Sequence, residues 1–118
     1  MKKVVKFGGS SLASAEQFKK VGKIIQADSA RRFVVPSAPG KRFSDDIKVT
    51  DMLYACYAEA EAGKDIKKSL ADIKKRYDEI IKGLKLELSL DKEFEVIEKD
   101  FLAKAGQNYA ASRGEFLN

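Results

Sequence analysis

The chain has no histidine and no tryptophan, and only one cysteine and two prolines in 118 residues. Without an imidazole base no histidine-dependent catalytic triad can be assembled, and one cysteine cannot supply the clustered ligands of a structural zinc site. Cys56 has no partner for an internal disulfide, and no basic-then-apolar leader opens the chain, so a reducing, cytoplasmic setting is expected. No apolar run approaches the roughly 20 residues of a membrane span, so no membrane partner is expected. Chemistry must run on lysine, arginine, serine, threonine, carboxylates and backbone amides.

What is present describes a single small globular unit, since 44% hydrophobic and 35% charged residues exclude a disordered polyelectrolyte. The 23 basic against 18 acidic residues leave a formal charge of +5, which favours anionic ligands. That excess is interleaved with acids. Between Lys64 and Lys85 the charges alternate with spaced apolar residues and read as a solvated helix face, with no nucleic-acid signature beside them.

Val4, Val5 and Phe7 form a short strand run that stops at Gly8-Gly9. A helix is predicted next, capped by Ser14 with Gln17 reaching back, and carrying Phe18, Val21, Ile24 and Ile25 on one face to about Asp28. Arg32-Phe33-Val34-Val35 is a second strand, whose regular pairing Pro36 should end. Two strands joined by a helix are expected to lie parallel, which sets Gly8 to Ser11 and Ser37 to Gly40 beyond the same sheet edge, where ligands bind.

Residues 41 to 106 read as a helical block. Lys41 to Asp46 is a polar loop. A helix with Val49, Met52, Leu53 and Cys56 runs from about Lys48 to Gly63, and Ile66, Leu70, Ile73, Tyr77, Ile80 and Leu84 form a second amphipathic stripe. A third helix bears Phe94, Ile97, Phe101 and Leu102, with Gly106 as its stop signal. Both strands are apolar enough to be covered on two faces, yet a lone pair is marginal, and Asn108 to Asn118 begins a further element without a terminating signal. We therefore expect the front portion of a longer protein, with these strands at one edge of a larger sheet.

At the first strand's end, Lys6-Phe7-Gly8-Gly9-Ser10-Ser11 combines glycines that let backbone approach an anion, hydroxyl and amide donors, and a fixed positive charge. It is neither the Walker loop, because the lysine precedes the glycines, nor the dinucleotide fingerprint, because a third glycine is missing. Alone it also fits a tight turn beside a solvated lysine.

Three further blocks follow in order: Val34-Val35-Pro36-Ser37-Ala38, Lys48-Val49-Thr50-Asp51-Met52-Leu53 and Ser112-Arg113-Gly114-Glu115. Together the four blocks resemble the amino-terminal motifs of the aspartate kinases in the amino acid kinase superfamily. The resemblance implies an α/β fold, the carbamate-kinase-like three-layer sandwich, present here as an amino-terminal fragment. It divides the chain into 1–40 (strand-helix-strand with phosphate loop), 41–106 (helical block) and 107–118 (the start of the Ser-x-Gly-Glu segment).

It further implies transfer of the γ-phosphoryl of ATP, with Mg2+, to the side-chain carboxylate of L-aspartate, the step that opens the route to lysine, threonine and methionine, in a homo-oligomer when the protein is full length. Lys6 matches the lysine that steadies the transferring phosphoryl group. Gly8, Gly9 and Ser10 match the loop on the phosphates, Ser37 a serine near the amino acid, Thr50 the threonine that helps bind aspartate, and Glu115 the glutamate that pairs with its ammonium. No residue of the chain is assigned as a metal ligand. The usual pattern lacks prolines where Pro36 and Pro39 flank Ser37-Ala38, and the loop from Gly40 to Ile47 is longer than in many relatives.

The family's nucleotide-base pocket, catalytic aspartate, carboxylate-binding arginine and regulatory domains fall beyond Asn118, so the 118 residues alone are expected not to turn over. Thr50 also fits a helix cap, Glu115 a surface acid paired with Arg113, Cys56 a core residue, and Asp45 with Asp46 a turn. The alternatives are a sibling kinase acting on glutamate, acetylglutamate or carbamate, and a non-catalytic helical interaction module.

Overall fold

The structure, a computed structural model, describes residues Met1 to Asn118. Two strands and five helices follow in the order β1 (Lys3–Phe7), α1 (Ala15–Gln26), β2 (Arg31–Pro36), α2 (Val49–Glu61), α3 (Lys67–Gly83), α4 (Asp91–Leu102) and α5 (Gln107–Leu117). A single 3-10 turn, Gly9–Leu12, separates β1 from α1.

β1 and β2 pair in parallel, with Val5 opposite Val34, Lys6 opposite Val35 and Phe7 opposite Pro36. Pro36, lacking an amide hydrogen, is the last residue of β2, and the Ser37 amide then donates to the Phe7 carbonyl at 3.1 Å. Both chain segments thus leave the same end of the sheet. Ser14 caps α1 by accepting from the Gln17 amide at 3.4 Å. The Gln17 side chain does not return to Ser14 as expected; it donates to the Ser10 carbonyl at 3.3 Å, which the 3-10 turn brings within reach.

The strands are less covered than their composition suggests. Val4 is 70% exposed and Phe33 51%, with Val34 and Val35 also open. The reason lies in how the helices are spent: α2, α3, α4 and α5 pack on one another around a 15-residue core, and α1 is the one helix that touches β2 appreciably. In that core Phe101 meets Tyr57 and Tyr109 edge to face at ring distances of 5.4 and 6.1 Å, and Tyr77 meets Phe94 at 6.1 Å.

The helical block holds three helices, as expected, and differs in where the third one stops. α4 does not run to Gly106. It ends at Leu102, where Lys104 (φ 58°) takes the left-handed conformation, the Lys104 amide donates to the Phe101 carbonyl and the Ala105 amide to Asp100. Gly106 instead precedes α5, with a φ of 112°. The same paired closure ends α2 at Gly63 (φ 75°) and α3 at Lys85 (φ 57°).

Candidate functional site

Four segments close on a cleft of about 410 Å³: Gly9 and Ser10 of the 3-10 turn, Ser37 to Lys41 after β2, Lys48 and Thr50 at the start of α2, and Glu115 near the end of α5. The first two touch backbone to backbone. The Gly40 amide donates to the Gly9 carbonyl at 2.8 Å, and a Cβ on Gly40 would stand 2.6 Å from the Gly9 carbonyl carbon and 2.8 Å from the Ser10 nitrogen. No side chain fits at such a separation. The third segment is tied on by the Val49 amide, which donates to the Pro39 carbonyl at 3.0 Å.

α5 reaches the cleft because Gly114 lets it. A Cβ there would lie 2.4 Å from the Cβ of Ala38, so only a glycine allows this helix to lie against the segment that follows β2. The buried Tyr77 hydroxyl donates to the Gly114 carbonyl at 2.9 Å, and the Asn118 amide group donates to the Ser37 carbonyl. Glu115, next in sequence, is thereby carried to the cleft wall.

Gly9, Ser10, Ser37, Thr50 and Glu115 therefore share one cleft, although they span positions 9 to 115. Lys6 and Gly8 stand outside its lining: Lys6 is exposed on β1, and Gly8 is the extended residue before the turn. Thr50 is not the cap of α2. Lys48 holds the cap position with no side-chain bond, leaving the Thr50 hydroxyl uncommitted to the helix end. Arg113 does not pair with Glu115 either; its guanidinium stacks on the rings of Tyr109 and Phe116, 4.5 and 4.6 Å from their centroids.

Sequence reasoning passed over Lys41 and Lys48, which add two cations to the cleft, and Arg76, which the charged pattern of α3 disguised as surface. Arg76 is only 4% exposed. A signal was there, since position 76 lies three residues after Ile73 and four before Ile80, on the buried stripe itself. Its guanidinium donates to the carbonyls of Gly40 at 2.7 Å, Ile47 at 2.9 Å and Ala13 at 3.3 Å.

Asp46 lies 3.8 Å from Arg76 and accepts two bonds from the Arg42 side chain, at 2.7 and 3.0 Å. Those bonds hold its carboxyl well below the usual carboxylate range. Asp46 thus orders a turn, as expected. Cys56 is fully buried, and desolvation pushes its thiol up to about 11, so it is an inert core residue. No three of the chain's cysteine, aspartate and glutamate residues gather to hold a metal ion.

A second depression of about 390 Å³ lies between α3 and α4, but the Lys74 on its wall is already paired with Asp91 at 2.6 Å and with Asp78 at 3.2 Å. It has neither glycine nor hydroxyl donors on its wall. The cleft beyond the strands is the better equipped for an anion.

Residues 1–115 match the sequence profile of the Amino acid kinase family. The chain belongs to that family. Aspartokinase 3 of Bacillus subtilis (strain 168) is 47% identical over 88 residues, which cover 75% of this chain and 19% of that protein. The crystal structure of an aspartate kinase from Clostridium acetobutylicum, described as an allosteric enzyme, superposes with a TM-score of 0.94 at 45% identity, over all of this chain and 28% of that one. The paired strands and helical block thus take the amino acid kinase fold, and the matched residues span 19% and 28% of the length of these two relatives.

Proposed function

We propose that this chain builds the amino-terminal side of an aspartate kinase site, at which the γ-phosphoryl of ATP passes to the side-chain carboxylate of L-aspartate. The observation that carries this reading is the gathering of Gly9, Ser10, Ser37, Thr50 and Glu115 on one cleft in a chain 45 to 47% identical to aspartate kinases. In the reaction an aspartate carboxylate oxygen bonds to the γ-phosphorus while the bond to the bridging oxygen breaks and its electron pair leaves with ADP. An aspartate carboxylate is already ionised near neutral pH, so no base is needed and the absence of histidine is no obstacle.

The difficulty is electrostatic, because two anions must meet. Positive charge and fixed donors address it, and the cleft offers Lys41, Lys48 and the turn at Gly9-Ser10, with Lys6 on the strand leading into that turn. Glu115 is the one carboxylate on the cleft and is suited to the amino acid's ammonium, with Thr50 and Ser37 donating to its oxygens. The magnesium that the resemblance implies finds no ligand cluster in these residues. A place in amino-acid biosynthesis, a cytoplasmic location and a homo-oligomeric whole protein belong to the same proposal.

Titrating the isotopically labelled chain separates this reading from its rivals. Nucleotide should shift the amides of Gly9, Ser10 and Gly40, and L-aspartate those of Thr50 and Glu115, with L-glutamate, acetylglutamate and carbamate weaker. Self-association through the α3 stripe, together with cleft amides that respond to no ligand, would instead favour a helical interaction module. A stronger response to L-glutamate would move the assignment to a sibling kinase.

A further inference from the structure

We propose that Arg76 is a positioning residue for the phosphoryl-transfer cleft, one guanidinium that sets the spacing of its three loop segments. The carbonyls that it grips are distributed with a pattern. Ala13 closes the turn that carries Gly9 and Ser10, Gly40 closes the segment that carries Ser37, and Ile47 stands just before Lys48 and Thr50. Three of the four walls therefore hang on one side chain that does not line the cleft.

Burying a guanidinium is costly, and here desolvation, with the like charge of Arg42 beside it, works against its ionised form. An apolar residue of similar volume would often serve folding as well or better, so stability alone is a weak reason to keep a cation in this place. What only arginine supplies is a rigid planar fork with five donors, which can hold several acceptors at fixed mutual angles. A lysine reaches the same region with a single ammonium, and methionine with none. Asp46, clamped by Arg42, sets a carboxylate 3.8 Å from the same Arg76 Nη1 that donates to Ile47. Spacing matters because misplacing the reacting groups by about 1 Å can cost on the order of a hundredfold in rate.

This inference rests on the kinase reading for its purpose, but the geometry can be tested without it. Amide hydrogen exchange of the ligand-free chain is measured for wild type, Arg76→Lys and Arg76→Met, followed by titration with nucleotide and L-aspartate. In Arg76→Met the amides of Gly40 and Val49, which bond across the segments, should exchange at least about tenfold faster, while those of Phe94 and Ala110 in the helical core keep their rates. Lysine should restore part of the protection, and ligand affinity should follow the same order. Unchanged protection at Gly40 and Val49 would overturn the proposal, as would a rise shared equally with Phe94 and Ala110, which marks a merely structural role. Should Arg76→Met not fold, the lysine variant decides by the same comparison. If wild type binds neither ligand, the exchange pattern still decides what Arg76 does.

Discussion

At Gly40 the chain has no room for even a methyl group: it would press on the backbone of Gly9 and Ser10, not on the yielding end of a side chain. Gly40→Ala must therefore separate the two loops. The expected loss is about 1 to 3 kcal/mol of stability, read as a lower urea midpoint, together with altered amide shifts at Gly9 and Ser10. Sequence reading found Gly8-Gly9 because adjacent glycines after a strand announce a turn. It gave Gly40 no such weight, since the reason for that glycine is a contact with residues some thirty positions away. Arg76 was hidden differently. Its charge argued for the surface, whereas its spacing from Ile73 and Ile80 argued for the interior, and the three carbonyl partners that reconcile the two are visible only in the fold.

Among the elements, α1 to α4 were legible because each carries an apolar stripe at helical spacing, with starts within a residue or two of expectation, whereas α5, which has no such stripe, was expected only as a further element. Their ends were harder. Gly63 marks the stop of α2 in the usual way, but α3 and α4 close on Lys85 and Lys104, left-handed residues with no signature in the sequence. A side chain in that conformation costs about 1 kcal/mol or more relative to glycine. Lys104→Gly should accordingly stabilise the chain by up to about 1 kcal/mol, seen as a higher urea midpoint with unchanged helical circular dichroism. The strands were read correctly in place and direction. Their apolar sequence implied cover on both faces, and the helices that these residues supply are occupied with each other.

For the molecule as a whole, the absence of histidine leaves no imidazole to titrate near neutrality, and a buried thiol and buried phenols open one sensitive range in alkali. Burial raises the Cys56 thiol from 9.0 to about 11; burial and the bond to Asp100 raise the Tyr109 hydroxyl from 10.0 to about 12, and burial raises Tyr77 as well. In that window the unfolded chain has released protons that the native state still holds, so folding stability is fully present below about pH 9 and falls as pH rises. The raised Cys56 thiol should by itself cost on the order of 2 to 3 kcal/mol of stability between pH 8 and pH 12. Urea midpoints measured across that interval should drop, and Cys56→Ala should flatten the decline. The strand pair has a further consequence. It rests on a thin contact with α1, while α2 to α5 share a dense interior of their own, and the cleft is lined by residues of both groups. Warming would slacken the strand end first, so whatever settles in the cleft acts as a splint, and its arrival would be felt as quieter motion in strands that it never touches.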